Sequence, residues 1–303
     1  MWTRRRALSA LGAVGLPAWK LPALAQTREP ITRSIPATGE RLPVIGVGSW
    51  ITFNVGTATA ARAPLVPVMQ AFFDRGGTMI DSSPMYGTSE TVIGDLLAKT
   101  SPRQRPFFAT KVWTYGRAAG ERQLESSREA WGVPRFDVIH IHNMLDWETH
   151  IETLQAWKAA GRVRYIGITT SHGRRHDAME KALLKAPFDF VQLTYSLYDR
   201  DVEKRLLPLA AERKIAVVVN RPFDGGSMFD GVKSKPLPAW ARDIDCENWA
   251  QYFLKFIVSH PAVTCAIPAT SKTNHMAENM GALYGRLPDA DVRRRMAQHF
   301  AAL

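Results

Sequence analysis

Two residues that can share a proton-transfer task, Asp81 and Tyr86, stand five apart in the stretch Gly76-Gly77-Thr78-Met79-Ile80-Asp81-Ser82-Ser83-Pro84-Met85-Tyr86-Gly87. The paired glycines end a helix, Thr78 to Ile80 make a short apolar run, and Ser82-Ser83-Pro84 breaks that run where a loop begins. Asp81 is thereby placed at the C-terminal end of a strand. Alone, it reads equally well as an acceptor of loop amide hydrogen bonds, and Tyr86-Gly87 as an ordinary turn. Two further strand-like runs end on reactive groups: 107–111 on Lys111 and 137–142 on His142. These four residue types suit the reduction of a carbonyl. Hydride arriving at carbon leaves negative charge on oxygen, and a proton donor must meet it there. A free phenol, with a pKa of about 10, ionises reluctantly. An ammonium within about 4–6 Å lowers that cost. Asp81 would keep Lys111 charged and oriented, and His142 would hydrogen-bond the carbonyl.

The elements that must bring these groups together recur with a single rhythm. Strand-like runs fall at 44–50, 78–81, 107–111, 137–142, 164–168, 190–193, 216–220 and 263–267. Between them lie segments of helical period: Trp147, Ile151, Leu154 and Trp157 share one face, Trp249, Tyr252, Phe253, Phe256 and Ile257 another, and Val92, Ile93, Leu96 and Leu97 a third after an N-cap signal at Thr88-Ser89. Eight alternations predict an α/β fold, a (β/α)8 TIM barrel, preceded by a β-hairpin over 31–42 and closed by a helix from about Asp289. An open doubly wound sheet is disfavoured, because no strand is followed by Gly-x-Gly-x-x-Gly and Gly46-Val47-Gly48 lacks the third glycine. In a barrel, catalytic groups collect at the C-terminal ends of the strands. Trp50, Trp113 and Trp147 follow strand ends and are expected to line a substrate pocket there. Long loops at 51–64 and 222–246 belong to the same edge. His140 shares the inward face with His142 and reads as a hydrogen-bonded core histidine. No His or Cys spacing suggests a metal site.

Composition sets outer limits. With 46% hydrophobic and 22% charged residues, the 303-residue chain has ordinary globular usage, which argues against disorder. It begins Met1-Trp2-Thr3-Arg4-Arg5-Arg6, continues through an uncharged run from Ala7 to Leu16, and reaches the small-residue site Ala23-Leu24-Ala25. This order of parts predicts a twin-arginine-type signal peptide over 1–25, export to the periplasm by the matching machinery, and a mature domain over 26–303. Should the signal not function, the protein is cytoplasmic. Removing the signal takes away Arg4, Arg5, Arg6 and Lys20 and no acids, so the formal net charge falls from +11 by four to +7. The remaining basic residues are scattered. Arg293-Arg294-Arg295 follows Asp289 and Asp291 on a terminal helix and reads as a solvated face, with no nucleic-acid patch implied. No run is long enough to span a membrane. Two cysteines make no disulfide framework.

Asp81-Ser82-Ser83-Pro84-Met85-Tyr86-Gly87, Ala109-Thr110-Lys111-Val112-Trp113, the 137–142 run and Gly161-Arg162-Val163-Arg164-Tyr165-Ile166-Gly167 together resemble successive segments of the aldo-keto reductases. Pro261-Ala262-Val263-Thr264, Ile267-Pro268-Ala269-Thr270-Ser271 and Glu278-Asn279 extend the likeness, which covers about 31–285 in order. The resemblance implies a catalytic tetrad of Asp81, Tyr86, Lys111 and His142, and a small-molecule carbonyl substrate. It implies NADPH, or alternatively NADH, bound without a Rossmann fold. Contacts to the nicotinamide amide would come from Thr169, Thr170 and Gln192, although relatives usually carry Ser-Asn where Thr169-Thr170 stands. Asn220 takes the place where many relatives stack an aromatic ring on the nicotinamide. Gly225, Gly226 and Ser227 resemble the diphosphate clamp. Thr270, Ser271, Lys272, His275, Glu278 and Asn279 would hold the adenosine end. The arginine and lysine common in NADPH-preferring members are absent at His275 and Ala269, which leaves Lys272 to meet a 2′-phosphate as a point charge. A monomer is the default expectation.

Two other functions fit parts of the pattern. A Schiff-base lyase would use Lys111 as nucleophile but leaves Tyr86 and the adenosine-like segment unexplained. A cofactor-bound binding or regulatory protein, with little turnover, would keep the cofactor residues and make the tetrad ancestral.

Overall fold

The computed structural model describes residues 29–303, so the expected signal peptide over 1–25 lies outside the described residues. Two short strands, β1 (Thr32–Ser34) and β2 (Arg41–Pro43), pair antiparallel as the expected hairpin, turning through residues 37–40. Eight parallel strands follow: β3 (Val47–Gly48), β4 (Met79–Asp81), β5 (Phe107–Val112), β6 (Phe136–Ile141), β7 (Val163–Thr169), β8 (Phe190–Thr194), β9 (Ala216–Asn220) and β10 (Val263–Ala266). Each pairs with its sequence neighbour. Single bridges from Ile45 to Ala266 and Gly48 to Ala269 bring the first strand against the last and close the barrel. The regular part of β3 is shorter than the expected 44–50, because it meets β10 only through those bridges. Trp50 consequently stands beyond the strand in a turn.

Strands packed on both faces need apolar residues on both. Outward-facing Ile80, Val112, Ile139, Ile166, Val191 and Val217 join the core beneath the helices. Inward-facing Met79, Phe107, Val138, Tyr165, Phe190 and Val218 fill the barrel, which is a packed core and not a pore. Ile35 and Leu42 of the hairpin belong to this inner cluster and cover the barrel's N-terminal end. The hairpin is fastened by Tyr165, whose hydroxyl donates to Glu40 Oε2 at 2.7 Å and lies 2.8 Å from Thr38 Oγ1.

His140 differs from its expected state. It is fully buried inside the barrel, yet neither ring nitrogen has a hydrogen-bond partner. The ring fits there because residue 167 is glycine, where a Cβ would fall 2.1 Å from His140 Nδ1. Burial, with the nearby Lys111 charge, pushes its pKa well below the ordinary histidine value, so the ring is neutral.

The loop over 51–64 is tethered. From α1 (Thr59–Arg62), the Arg62 Nε donates to Gly56 O at 2.9 Å, and the guanidinium pairs with Asp95 on α2 (Ser89–Lys99). Thr88 sits at the N-cap position of α2 but does not cap it. Its hydroxyl binds Asn54 Oδ1 at 3.0 Å, tying the same loop to the helix start.

The terminal helix, here α3 (Ala290–Ala301), begins with Asp289 accepting from Val292 N–H at 2.9 Å. Its arginines do not form one solvated face. Arg293 is mostly buried and donates to Ser259 Oγ at 2.8 Å, Tyr195 Oη at 2.6 Å and Glu203 Oε1 at 3.2 Å, with a further bond to Phe256 O. Residue 293 falls three before Met296 and seven before Phe300, the apolar stripe that faces the barrel, so its aliphatic stem is drawn inward. Arg293→Met should lower the unfolding free energy by about 2–3 kcal/mol, since charged hydrogen bonds are lost and their partners stay buried. Urea unfolding of the two proteins checks this.

Candidate active site

The C-terminal ends of the strands surround a cavity of about 680 Å³, within the usual range for small-molecule sites. At its floor, β4 delivers Asp81 and β5 delivers Lys111, both almost wholly buried. Lys111 Nζ lies 2.5 and 2.8 Å from the two Asp81 oxygens and donates to Ser82 O at 2.8 Å. Gln192, from β8, adds its amide N–H to Asp81 Oδ2 at 3.1 Å. Tyr86 follows in the loop after β4, and the Lys111 ammonium lies 5.2 Å from the centre of its ring. His142, just past β6, meets the Tyr86 ring edge-on with centroids 5.7 Å apart. The structure thus brings Asp81, Tyr86, Lys111 and His142 together.

Their electrostatics follow from burial and one ion pair. Burial alone would lower the Lys111 pKa, but the Asp81 carboxylate, with Tyr86, outweighs it and holds the ammonium above its ordinary range. Tyr86 is pulled in both directions. The lysine does pull its pKa down, yet burial and the Asp81 charge pull harder, and the net shift is upward. The phenol keeps its proton at neutral pH. For His142, burial and the Lys111 charge bring the pKa down to about 2, so the ring is neutral at any working pH. Ser83 Oγ lies 2.9 Å from His142 Nδ1 and accepts weakly from Met85 N–H at 3.4 Å. We assign the Ser83 proton to Nδ1, which leaves the ring proton on Nε2.

Around these groups the cavity is lined by Trp50, Thr169, Gln192, Asn220, Gly225, Gly226, Thr270, His275, Glu278 and Asn279 among the residues expected from the sequence. His275, Glu278 and Asn279 sit at i, i+3 and i+4 on the helix Thr273–Gly281 and so share its cavity-facing side. Gly226 has φ of +106°, which only glycine adopts without strain. A dinucleotide fits this lining, which takes in tetrad members, bare glycine backbone and the side chains of that helix.

Several expected residues stand elsewhere. Thr170 turns its hydroxyl to Arg174 O at 2.6 Å, and Ser227 turns its own back to Asp224, so local hydrogen bonds take both away from the cavity. Ser271 and Lys272 are exposed beside the helix start and do not line the cavity. Trp113 points outward at the rim, where its backbone N–H donates to Gln123 Oε1. Trp147 opens a helix and packs against Phe188 and Lys185 outside the barrel mouth. Met85, Asn143, Ser171, His172, Arg221 and Phe229 line the cavity and were not expected. Asn143, His172 and Arg221 fall within three residues of a strand end, the positional signal that singled out Asp81. Ile51 also lines it and holds φ of +65°, a strained value for a β-branched residue. Among the described residues no group of His, Cys, Asp and Glu is arranged to hold a metal ion, and no helix is long and apolar enough to cross a membrane.

The sequence profile of the Aldo/keto reductase family matches residues 44–297, and the chain belongs to that family. It is 27% identical over 271 residues to "Probable aldo-keto reductase 1" of Glycine max, covering 75% of this chain and 77% of that protein. It is 27% identical over 278 residues to "NADH-specific methylglyoxal reductase" of Escherichia coli, covering 74% and 84% respectively. Among solved structures, an aldo-keto reductase from Klebsiella pneumoniae in complex with NADPH shares the fold. That likeness has a TM-score of 0.73 and 24% identity, over 89% of this chain and 95% of the other.

The ion pair gives a direct test. Asp81→Asn leaves a buried ammonium without its counter-charge and should cost about 3–5 kcal/mol of stability. Adding Lys111→Met should restore most of it. If thermal or chemical unfolding shows no recovery in the double variant, the ion pair is not what the single substitution breaks.

Proposed function

We propose that the protein reduces an aldehyde or ketone to an alcohol at this tetrad, with NADPH or NADH as reductant and Tyr86 as the proton donor. Membership of the aldo/keto reductase family makes it an NAD(P)H-dependent oxidoreductase. The observation that supports the detailed reading is a protonated phenol beside an ammonium and a neutral imidazole at the floor of a cavity that fits a dinucleotide. When bound, the reduced nicotinamide supplies the hydride.

Each side chain has a task that follows from its surroundings. Tyr86 presents its hydroxyl proton to the oxygen on which negative charge develops. Lys111 makes that transfer easier, because its fixed positive charge stabilises the phenolate left behind. Asp81 keeps Lys111 ionised in a site where burial would otherwise strip its proton. His142 stays neutral and donates from Nε2 to the substrate oxygen, which positions the carbonyl without competing as an acid. Gln192 is engaged with Asp81, and Asn220 is held by Thr194 at 2.7 Å and by Thr170 O at 2.9 Å, so the floor beside the tetrad is rigid.

The chain's own residues favour neither of the two cofactors. Arginine is missing at 275, Lys272 stands off the cavity, and one relative is named as NADH-specific. The substrate is a small or apolar carbonyl, in keeping with Trp50, Met85 and Phe229 in the lining.

Tyr86→Phe should lower kcat by about 10²–10⁴-fold, the usual range for a lost proton donor, while dinucleotide binding persists. The pH profile of kcat/KM should carry no step near 6.5, because His142 does not titrate there. It should fall only on the alkaline side, above pH 10, as the phenol loses its proton. Steady-state oxidation of NADPH and NADH against a panel of carbonyls measures kcat and the pH profile, and a dinucleotide titration measures binding. Retained binding with no turnover in the parent protein would favour the binding-protein alternative.

The export reading is a separate proposal, supported by Arg4-Arg5 and the uncharged run that follows. It implies folding and cofactor loading before export. Residues 1–25 fused to a folded reporter should carry it to the periplasm, and a pair of Lys substitutions at Arg4 and Arg5 should block this; a reporter retained in the cytoplasm counts against it.

A further inference from the structure

A second cavity, of about 320 Å³, lies outside the barrel wall and falls at the lower end of the range for small-molecule sites. It is formed where the helices Arg117–Trp131 and Trp147–Ala159 meet the chain entering β6 and β7. Phe136 opens β6 and Ile139 faces outward from it, whereas the tetrad lies within the barrel mouth. The two cavities share no lining residue. The floor of the outer one is apolar, since Leu124, Phe136, Ile139 and Trp157 are all buried. Its rim is cationic: Arg128, Arg135 and Arg162 stand there with one acid, Glu125.

The acid does not neutralise the rim. Glu125 accepts from Arg128 Nε at 2.8 Å and from Arg162, whose guanidinium lies 3.7 Å from the centre of the Trp157 ring. The bond from Arg128, assisted by Arg162, holds the Glu125 carboxyl below its usual range, so it is ionised. Arg135 gives its Nη1 to Gly161 O at 3.3 Å. Three arginines against one carboxylate leave a formal excess of two positive charges. Among the described residues each of these guanidiniums uses one of its three nitrogens in a hydrogen bond, which leaves the others to receive an anion.

An occupant has to meet two demands. The floor calls for an apolar body, and the rim for a negative group that can take paired, charge-assisted hydrogen bonds from a planar guanidinium. Inorganic phosphate meets the second demand alone, and a neutral aromatic the first alone. We infer that this cavity is a second binding site, for a small carboxylate with an aromatic or apolar body, formed by residues in which the reductase chemistry has no part.

The test titrates para-fluorobenzoate against the full chain and follows its fluorine NMR signal, with para-fluorobenzamide and inorganic phosphate as comparison probes. The benzoate should bind saturably with a Kd of about 1 mM or tighter, and the uncharged benzamide should not. Arg162→Gln should weaken benzoate binding at least about 10-fold, as expected for one lost charge-assisted contact. Glu125→Gln removes the competing carboxylate and should tighten it by about 2–5-fold, the range for partly exposed charge pairs. A variant that merely folds badly cannot tighten binding, so this second substitution separates recognition from damage. Unchanged or weaker binding in Glu125→Gln overturns the inference, as does the absence of saturation up to about 10 mM. Equal binding of the benzamide removes the role of charge, and displacement of benzoate by an equal concentration of phosphate removes that of the apolar floor; either result overturns it. Benzoate binding that survives Arg162→Gln but is displaced by NADP⁺ places the probe in the tetrad cavity and overturns it too.

Discussion

A lysine ammonium and an aspartate carboxylate are held together almost without water at the floor of the barrel mouth. Neither tolerates that environment alone, since each isolated charge would cost several kcal/mol to bury. Together they create a small region of fixed charge around which the other groups take their states. The ammonium leaves His140 and His142 neutral by repulsion added to burial. It also offsets part of the burial that keeps Tyr86 protonated. Gln192 commits its amide to Asp81 and so becomes part of the floor instead of a free contact. The chemistry of the site is therefore set by one pair and distributed through distance.

The barrel supplies what such a pair needs, which is two neighbouring strands ending at the same height. Asp81 and Lys111 are on adjacent strands, β4 and β5, with Asp81 in register with Ala109. Two residues further along β5 the lysine has the length to reach back. Parallel register fixes this reach without any loop, so the ion pair persists whatever the loops above it do. The loops add the parts that vary: Tyr86, Asn143, His172 and Arg221 each lie beyond a strand end, and several hold left-handed backbone. Strain of this kind is concentrated where function is.

Most of the architecture was legible in the sequence because strand and helix periods alternate eight times and each strand end is marked by a turn signal. The hairpin and the terminal helix were legible for the same reason, through a turn at 37–40 and a capping Asp289. What escaped were directions of side chains that no local pattern records. Thr170 and Ser227 find backbone or carboxylate partners within four residues, which turns them from the cavity. Arg293 looks like its neighbours Arg294 and Arg295 in sequence, yet the helix phase buries it. Trp113 and Trp147 follow strand ends as Trp50 does, but only Trp50 lies beside the closing seam of the barrel, where the cavity opens. His140 was expected to find partners and has none, because the space its ring fills is left by Gly167, its register partner on the neighbouring strand, which has no side chain to offer.

The hairpin has a consequence for traffic through the molecule. With Ile35, Leu42 and the aromatic layer of Phe107, Tyr165 and Phe190 filling the far end, the cavity is a blind well. Among the described residues, the packed end of the barrel leaves reactant, product and cofactor to approach the floor from the C-terminal face. Whatever lies across the mouth sets the residence time of what lies at the floor, and the loops around that opening act on turnover without touching the reacting atoms.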